Sequence, residues 1–382
     1  MRWFLLFLIA SVIWVEAKED FSFSLAETKD KALVDLPSNW EPGKRYPALF
    51  YYHGTNGKPQ TQLARRHTGD EDWIVVGMPY AQRGLLQWEK ERVALESKVL
   101  RAVRDRLVAE AGLNEKQVYL SGFSKGGWFA GLLMQEEEWV AGAAVMGAGH
   151  IKPLENISSS LVRNKPIFIG VGRLDRNYTY SLRAKVYFRK RGAKVEMEEW
   201  PDLGHRFPRE GSVGLKEWLA LRLGKQVDQE ALEKEWQEIA EMKGYEQWLQ
   251  LRLFHDRPFV QAANWQKKIA DVQKKIEAEP TIAREVRILK ESRRLLGKEI
   301  GKRTYQDLKT IADGYESIVK GAGESPQGKV AQHDFARAAE IWKIAQQQRG
   351  VVEEKAREVK KPGSTFGTGG STRTRPSNPL FR

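Results

Sequence analysis

The sequence predicts an α/β fold: a mostly parallel central sheet flanked by helices, then an all-helical region and a basic tail. Three observations carry this. Continuous apolar runs, the mark of strands buried on both faces, recur between residues 46 and 200. Stretches with helical apolar periodicity alternate with them, as βα units require. After Gly224 the strand-like runs stop, and Lys, Arg, Glu and Gln at helical spacing take over.

In chain order, residues 21–25 and 32–36 alternate with period two and predict an antiparallel pair with one wet face at a sheet edge. Residues 46–52 and 73–79 are apolar throughout and predict buried parallel strands. Residues 89–111 repeat Val93, Val99, Leu100, Val103 and Leu107 near helical period, and Gly112 supplies the stop. Strands are expected at 117–123, 140–146, 166–171 and 195–200, and helices at 127–135, 178–191 and 213–223. Arg257-Pro258, Glu279-Pro280 and Ser325-Pro326 punctuate the helical region, which reads as a bundle or a set of hairpins.

These patterns divide the chain into a leader at 1–17, an α/β unit at 18–224, a helical region at 225–360 and a disordered basic tail at 361–382. The leader has a positive start, an apolar run at 3–15 and a small residue, Ala17, before the polar onset. That is the pattern of an export signal. The run is short of the roughly 20 residues that cross a bilayer comfortably, so an uncleaved anchor is the second reading. There are no cysteines, which removes disulfides, thiolate metal sites and a Cys nucleophile. The net charge of +13 favours anionic surfaces, but acid and base are mixed throughout the helical region. With export expected, a nucleic-acid partner is not; a protein or cell-envelope partner for those helices is.

The chemistry centres on Gly122-Phe123-Ser124-Lys125-Gly126-Gly127. A strand enters, a helix leaves, and the serine stands on the turn between them with its hydroxyl exposed. A serine needs a base, and the base needs an acid to hold its tautomer. Downstream, Asp175 follows the strand at 166–171 and His205 follows the strand at 195–200, in the order serine, acid, histidine. Both fall at the carboxyl ends of strands, where open α/β sheets build their sites. Asp202 is the alternative acid, and it shares a loop with His205. The N–H groups of Lys125, next after the serine, and Thr55, in the loop after the first buried strand, are the expected oxyanion donors. His53, Trp128, His150 and Tyr178, with Met146, are the candidate pocket wall. His67, His255 and His333 sit in polar, helix-like stretches and are expected at the surface.

The set Tyr52-His53-Gly54-Thr55, Gly122-Phe123-Ser124-Lys125-Gly126-Gly127, Gly172-Arg173-Leu174-Asp175 and Gly204-His205 resembles the α/β-hydrolase superfamily. It is most similar to the phospholipase/carboxylesterase, feruloyl esterase and polyhydroxyalkanoate depolymerase-like branches, over residues of about 20–224. The resemblance implies a serine esterase acting on a small-molecule or polymeric ester, with no metal or organic cofactor. Lys125 stands where those branches often carry Gln, Ala or Met. A peptidase of the same fold and a non-catalytic binding scaffold are the competing readings. The helical region after 224 has no counterpart in the common members.

Overall fold

The computed structural model describes residues 20–82, 89–153, 161–301 and 303–359. The expected leader and the tail from 361 lie outside them.

Among the described residues, eight strands form one sheet: β1 (Phe21–Phe23), β2 (Ala32–Asp35), β3 (Tyr46–Tyr52), β4 (Ile74–Met78), β5 (Leu113–Phe123), β6 (Val140–Met146), β7 (Pro166–Gly172) and β8 (Lys194–Trp200). Their order across the sheet is β1-β2-β4-β3-β5-β6-β7-β8. The β1–β2 and β2–β4 pairs are antiparallel, and every pair from β4–β3 to β7–β8 is parallel. The alternating early runs thus form the predicted antiparallel edge, and the continuous apolar runs form the parallel centre. Every residue of β3 and β4 is buried, as strands covered on both faces must be.

Alternate residues of β3 serve the two layers. Ala48, Phe50 and Tyr52 pack with Val99, Leu100, Phe129 and Phe188 from α2 (Lys90–Glu110), α3 (Lys125–Glu136) and α4 (Tyr178–Lys190). Leu49 and Tyr51 pack with Ala64, Leu215 and Trp218 from α1 (Gln62–Thr68) and α5 (Val213–Arg222). The period of two along a strand therefore feeds two cores, one on each face.

Beyond Gly224 the described chain is helical: α6 (Gln229–Glu241), α7 (Gly244–His255), α8 (Pro258–Ala262), α9 (Gln266–Ile276), α10 (Pro280–Ile300), α11 (Tyr305–Ala322) and α12 (Pro326–Val359). Pro258, Pro280 and Pro326 each open a helix, where the missing N–H costs no intrahelical bond. Two apolar clusters hold these helices. One gathers Trp236, Trp248, Phe254 and Ile282, the other Leu295, Ile311, Tyr315 and Ala331.

The helices also dock on the sheet unit. Leu296 of α10 enters the core shared by α4. Arg257, just before α8, pairs with Glu217 of α5, and Phe259 N donates to the same carboxylate at 3.2 Å. Among the described residues, no helix is long and apolar enough to cross a membrane.

Candidate active site

The turn after β5 is built by exclusion. Ser124 sits at φ 55° and ψ −119°, a conformation that non-glycine residues rarely adopt, and one that costs about 1–3 kcal/mol when the surroundings enforce it. Its N–H donates to Met146 O at 2.8 Å, and its carbonyl accepts from Trp128 N at 3.1 Å. Gly126 leaves no room for a side chain: a Cβ there would stand 1.9 Å from Tyr52 O. The serine is thus pushed up between the end of β5 and the start of α3.

Two loops reach it. After β7, Asp175 is fully buried, and its carboxylate accepts from Asn177 N at 2.7 Å. After β8, the His205 side chain remains 24% exposed, so the imidazole stands at the mouth with the acid beneath it. His205 Nδ1 lies 2.9 Å from both Asp175 carboxylate oxygens, and Nε2 lies 2.8 Å from Ser124 Oγ. Backbone bonds stitch the two loops together: Arg173 N donates to Trp200 O at 2.8 Å and Leu174 N to Leu203 O at 2.9 Å. The Phe123 ring lies 5.1 Å from the His205 ring at a tilt of 32°, a support that no sequence pattern announced. Asp202, the alternative acid, is exposed. It lies on a cavity of about 380 Å³ between β8 and α7, lined also by Trp200, Leu203, Arg252 and Phe254; this cavity does not contain Ser124.

A strand-turn-helix serine, an acid after β7 and a histidine after β8 are therefore hydrogen-bonded in one line. Residues 81–244 match the model of the dienelactone hydrolase family, a stretch that holds all three. The sheet unit has the α/β-hydrolase fold. Over 99 residues it is 31% identical to the bifunctional acetylxylan esterase/xylanase XynS20E of Neocallimastix patriciarum, covering 25% of this chain and 14% of that protein. The chain therefore spans only a small part of that relative. Among solved structures it is similar to a Bacillus cereus carboxylesterase, at 22% identity and TM-score 0.41 over 50% of this chain and 93% of that one. It is also similar to a carboxylesterase from Mesorhizobium loti, at 18% identity and TM-score 0.42 over 53% and 99%.

The fold disposes of the other candidate residues unevenly. Gly54 stands beside the serine, since a Cβ there would lie 3.8 Å from Ser124 Cβ, and Thr55 follows it, exposed. Lys125 opens α3, so its N–H belongs to the positive end of the helix. Its side chain turns inward. It is 9% exposed, and Nζ sits 4.0 Å over the Tyr80 ring. Burial lowers its pKa, and the Glu96 charge offsets part of that.

Trp128 remains next to the serine on the first turn of α3, partly buried, with its ring edge-on to Tyr180 at 5.7 Å. The rest of the expected pocket wall is corrected. Tyr178 is 3% exposed; it lies under the Arg173 guanidinium and donates to Glu199 Oε1 at 2.8 Å, so it is an interior strut. Met146 is fully buried and contributes its carbonyl, not its side chain. His150 stacks on Tyr187 at 4.0 Å, and Tyr187 OH donates to Gln135, about three turns along α3 from the serine. His53 is 6% exposed, with Nδ1 at 2.7 Å from Gly54 O and its carbonyl accepting from Tyr80 OH at 2.7 Å. It braces the loop from below.

Two histidines expected at the surface are not there. His67 is 4% exposed; Nδ1 faces Leu63 O at 2.7 Å and Nε2 accepts from Ser212 N at 3.0 Å. His333 is half-buried against the Leu174 backbone, where α12 meets the acid loop. Both lie on helices, where amphipathic periodicity does not separate a histidine facing water from one facing a loop of another unit.

Proposed function

We propose that the chain is a serine hydrolase acting on carboxylic esters through an acyl-enzyme. The observation that carries this is the unbroken line from Ser124 Oγ through His205 to buried Asp175, at 2.8 and 2.9 Å. The matched dienelactone hydrolase family supports the ester-hydrolysis part of this reading.

In the first half-reaction, His205 Nε2 takes the Ser124 proton as Oγ attacks the ester carbonyl carbon. The imidazolium that forms donates from Nδ1 to the Asp175 carboxylate, which favours its charge without taking its proton. The oxyanion is received by the N–H groups of Thr55 and Lys125. Support for this pair is the approach of Gly54 to Ser124 and the place of Lys125 at the helix N-terminus. The carbonyl re-forms, the alcohol–carbon bond breaks, and His205 gives its proton to the leaving oxygen. In the second half, water gives a proton to His205 and attacks the acyl carbon. The bond to Ser124 Oγ then breaks, and the serine recovers the proton from His205.

A fluorophosphonate probe should label the wild-type chain and not Ser124→Ala, with p-nitrophenyl acetate turnover lost in parallel. Equal labelling of the two would overturn the proposal. Turnover of a peptide anilide in place of the ester would move it to a peptidase.

A further inference from the structure

The loop that carries Asp175 is held from two sides. On one side, the Arg173 and Leu174 N–H groups bond the His205 loop. On the other, the Arg173 side chain leaves the sheet unit. Its guanidinium forks onto Asp334 of α12, Nη1 to Oδ1 at 2.9 Å and Nη2 to Oδ2 at 2.5 Å. Asp334 is fully buried and accepts also from Arg337 Nη1 at 2.8 Å. Arg337 makes a second fork onto Glu299 of α10, at 3.0 and 2.8 Å. The Glu299 carbonyl accepts from Arg183 of α4 at 2.9 Å. Meanwhile the Arg173 guanidinium lies 4.4 Å from the Tyr178 ring centre, and Tyr178 is bonded to Glu199 on β8.

Two arginines and two carboxylates are thus buried where α12 meets the acid loop. Taking charges out of water is costly, and an apolar contact of the same size commonly serves stability as well or better. What the fork adds is direction, because a guanidinium and a carboxylate bond bidentately only in one plane. Arg173 is two residues from Asp175, so the orientation of one constrains the other.

We infer that the C-terminal helices are part of the catalytic unit, and that Arg173 and Asp334 are positioning residues holding the Asp175 loop in register with His205. This rests on the esterase proposal above. It gives α10–α12 a role that neither the family match, which ends at 244, nor the residues of the triad supply.

The test uses the full chain, with p-nitrophenyl acetate kinetics, fluorophosphonate labelling rate and thermal melting measured together. Asp334→Ala should lower kcat by roughly 10- to 100-fold with KM little changed, the scale of an ångström-level misplacement. Arg173→Lys keeps the charge and loses the fork, and should show the same kcat loss in a folded protein even where Asp334→Ala does not fold. The double variant Arg173→Met/Asp334→Leu replaces the pair by apolar groups and should recover melting temperature without recovering kcat. A kcat within twofold of wild type in folded Asp334→Ala or Arg173→Lys would overturn the inference. So would a double variant whose kcat returns along with its melting temperature. A wild-type chain that neither labels nor turns over ester removes the esterase proposal, and this inference with it.

Discussion

Replacing Asp175 by Asn tests the acid at constant shape. The side chain is fully buried and meets two donors: Asn177 N at 2.7 Å on Oδ1, and His205 Nδ1 at 2.9 Å. An amide has one acceptor and one donor end. The Asn177 N–H is fixed by the backbone, so it will claim the amide oxygen. The amide NH₂ then faces His205 Nδ1 and forces that nitrogen to accept. The ring proton moves to Nε2, which points at Ser124 Oγ and can no longer take its proton. The expected loss in kcat is about 10⁴-fold, the scale known for this change in serine proteases, or about 5.5 kcal/mol of barrier. Ester turnover and fluorophosphonate labelling should fall together, while thermal melting changes little because no volume is lost. A variant that keeps more than a tenth of the wild-type kcat would refute the argument, since the wrong tautomer leaves no base at Nε2.

Two further predictions concern the scaffold. Burial holds the pKa of His67 at about 4, against 6.5 for a free imidazole, so below pH 6.5 the unfolded chain takes up a proton that the native ring refuses. Stability should therefore fall on acidification, by about 2 kcal/mol between pH 7 and 5, and His67→Gln should remove that share of the slope in urea melts; equal slopes would refute it. Gly126→Ala would drive a methyl to 1.9 Å from Tyr52 O, a backbone atom that cannot turn aside. It should cost more than ~3 kcal/mol or prevent soluble expression, and an ordinary urea melt would show the turn to be looser than described.

Much of the site was legible because its parts are local. The serine turn is a glycine pattern, and a close backbone approach admits little else. The acid and the histidine each follow a strand of the parallel sheet, and parallel strands deliver their carboxyl ends to one edge. What misled was side-chain direction. Tyr178, at the start of α4, points back under Arg173 rather than toward the serine. His150 follows a strand as Asp175 and His205 do, yet stacks on α4. Position on an element is a property of sequence order. The direction of a long side chain depends on which neighbour fills the space beside it.

The sequence by itself determined the α/β alternation, the antiparallel edge, the switch to helices after Gly224 and the order Ser124, Asp175, His205. Each follows from hydrophobic period or from backbone chemistry, which act over a few residues. Only the tertiary structure decided that α12 closes on the acid loop. Arg173 and Asp334 are 161 residues apart, and each taken alone is an ordinary charge in a chain with many. Their pairing depends on how two apolar clusters seat α10–α12 against α4, and that packing becomes visible only once the chain has folded.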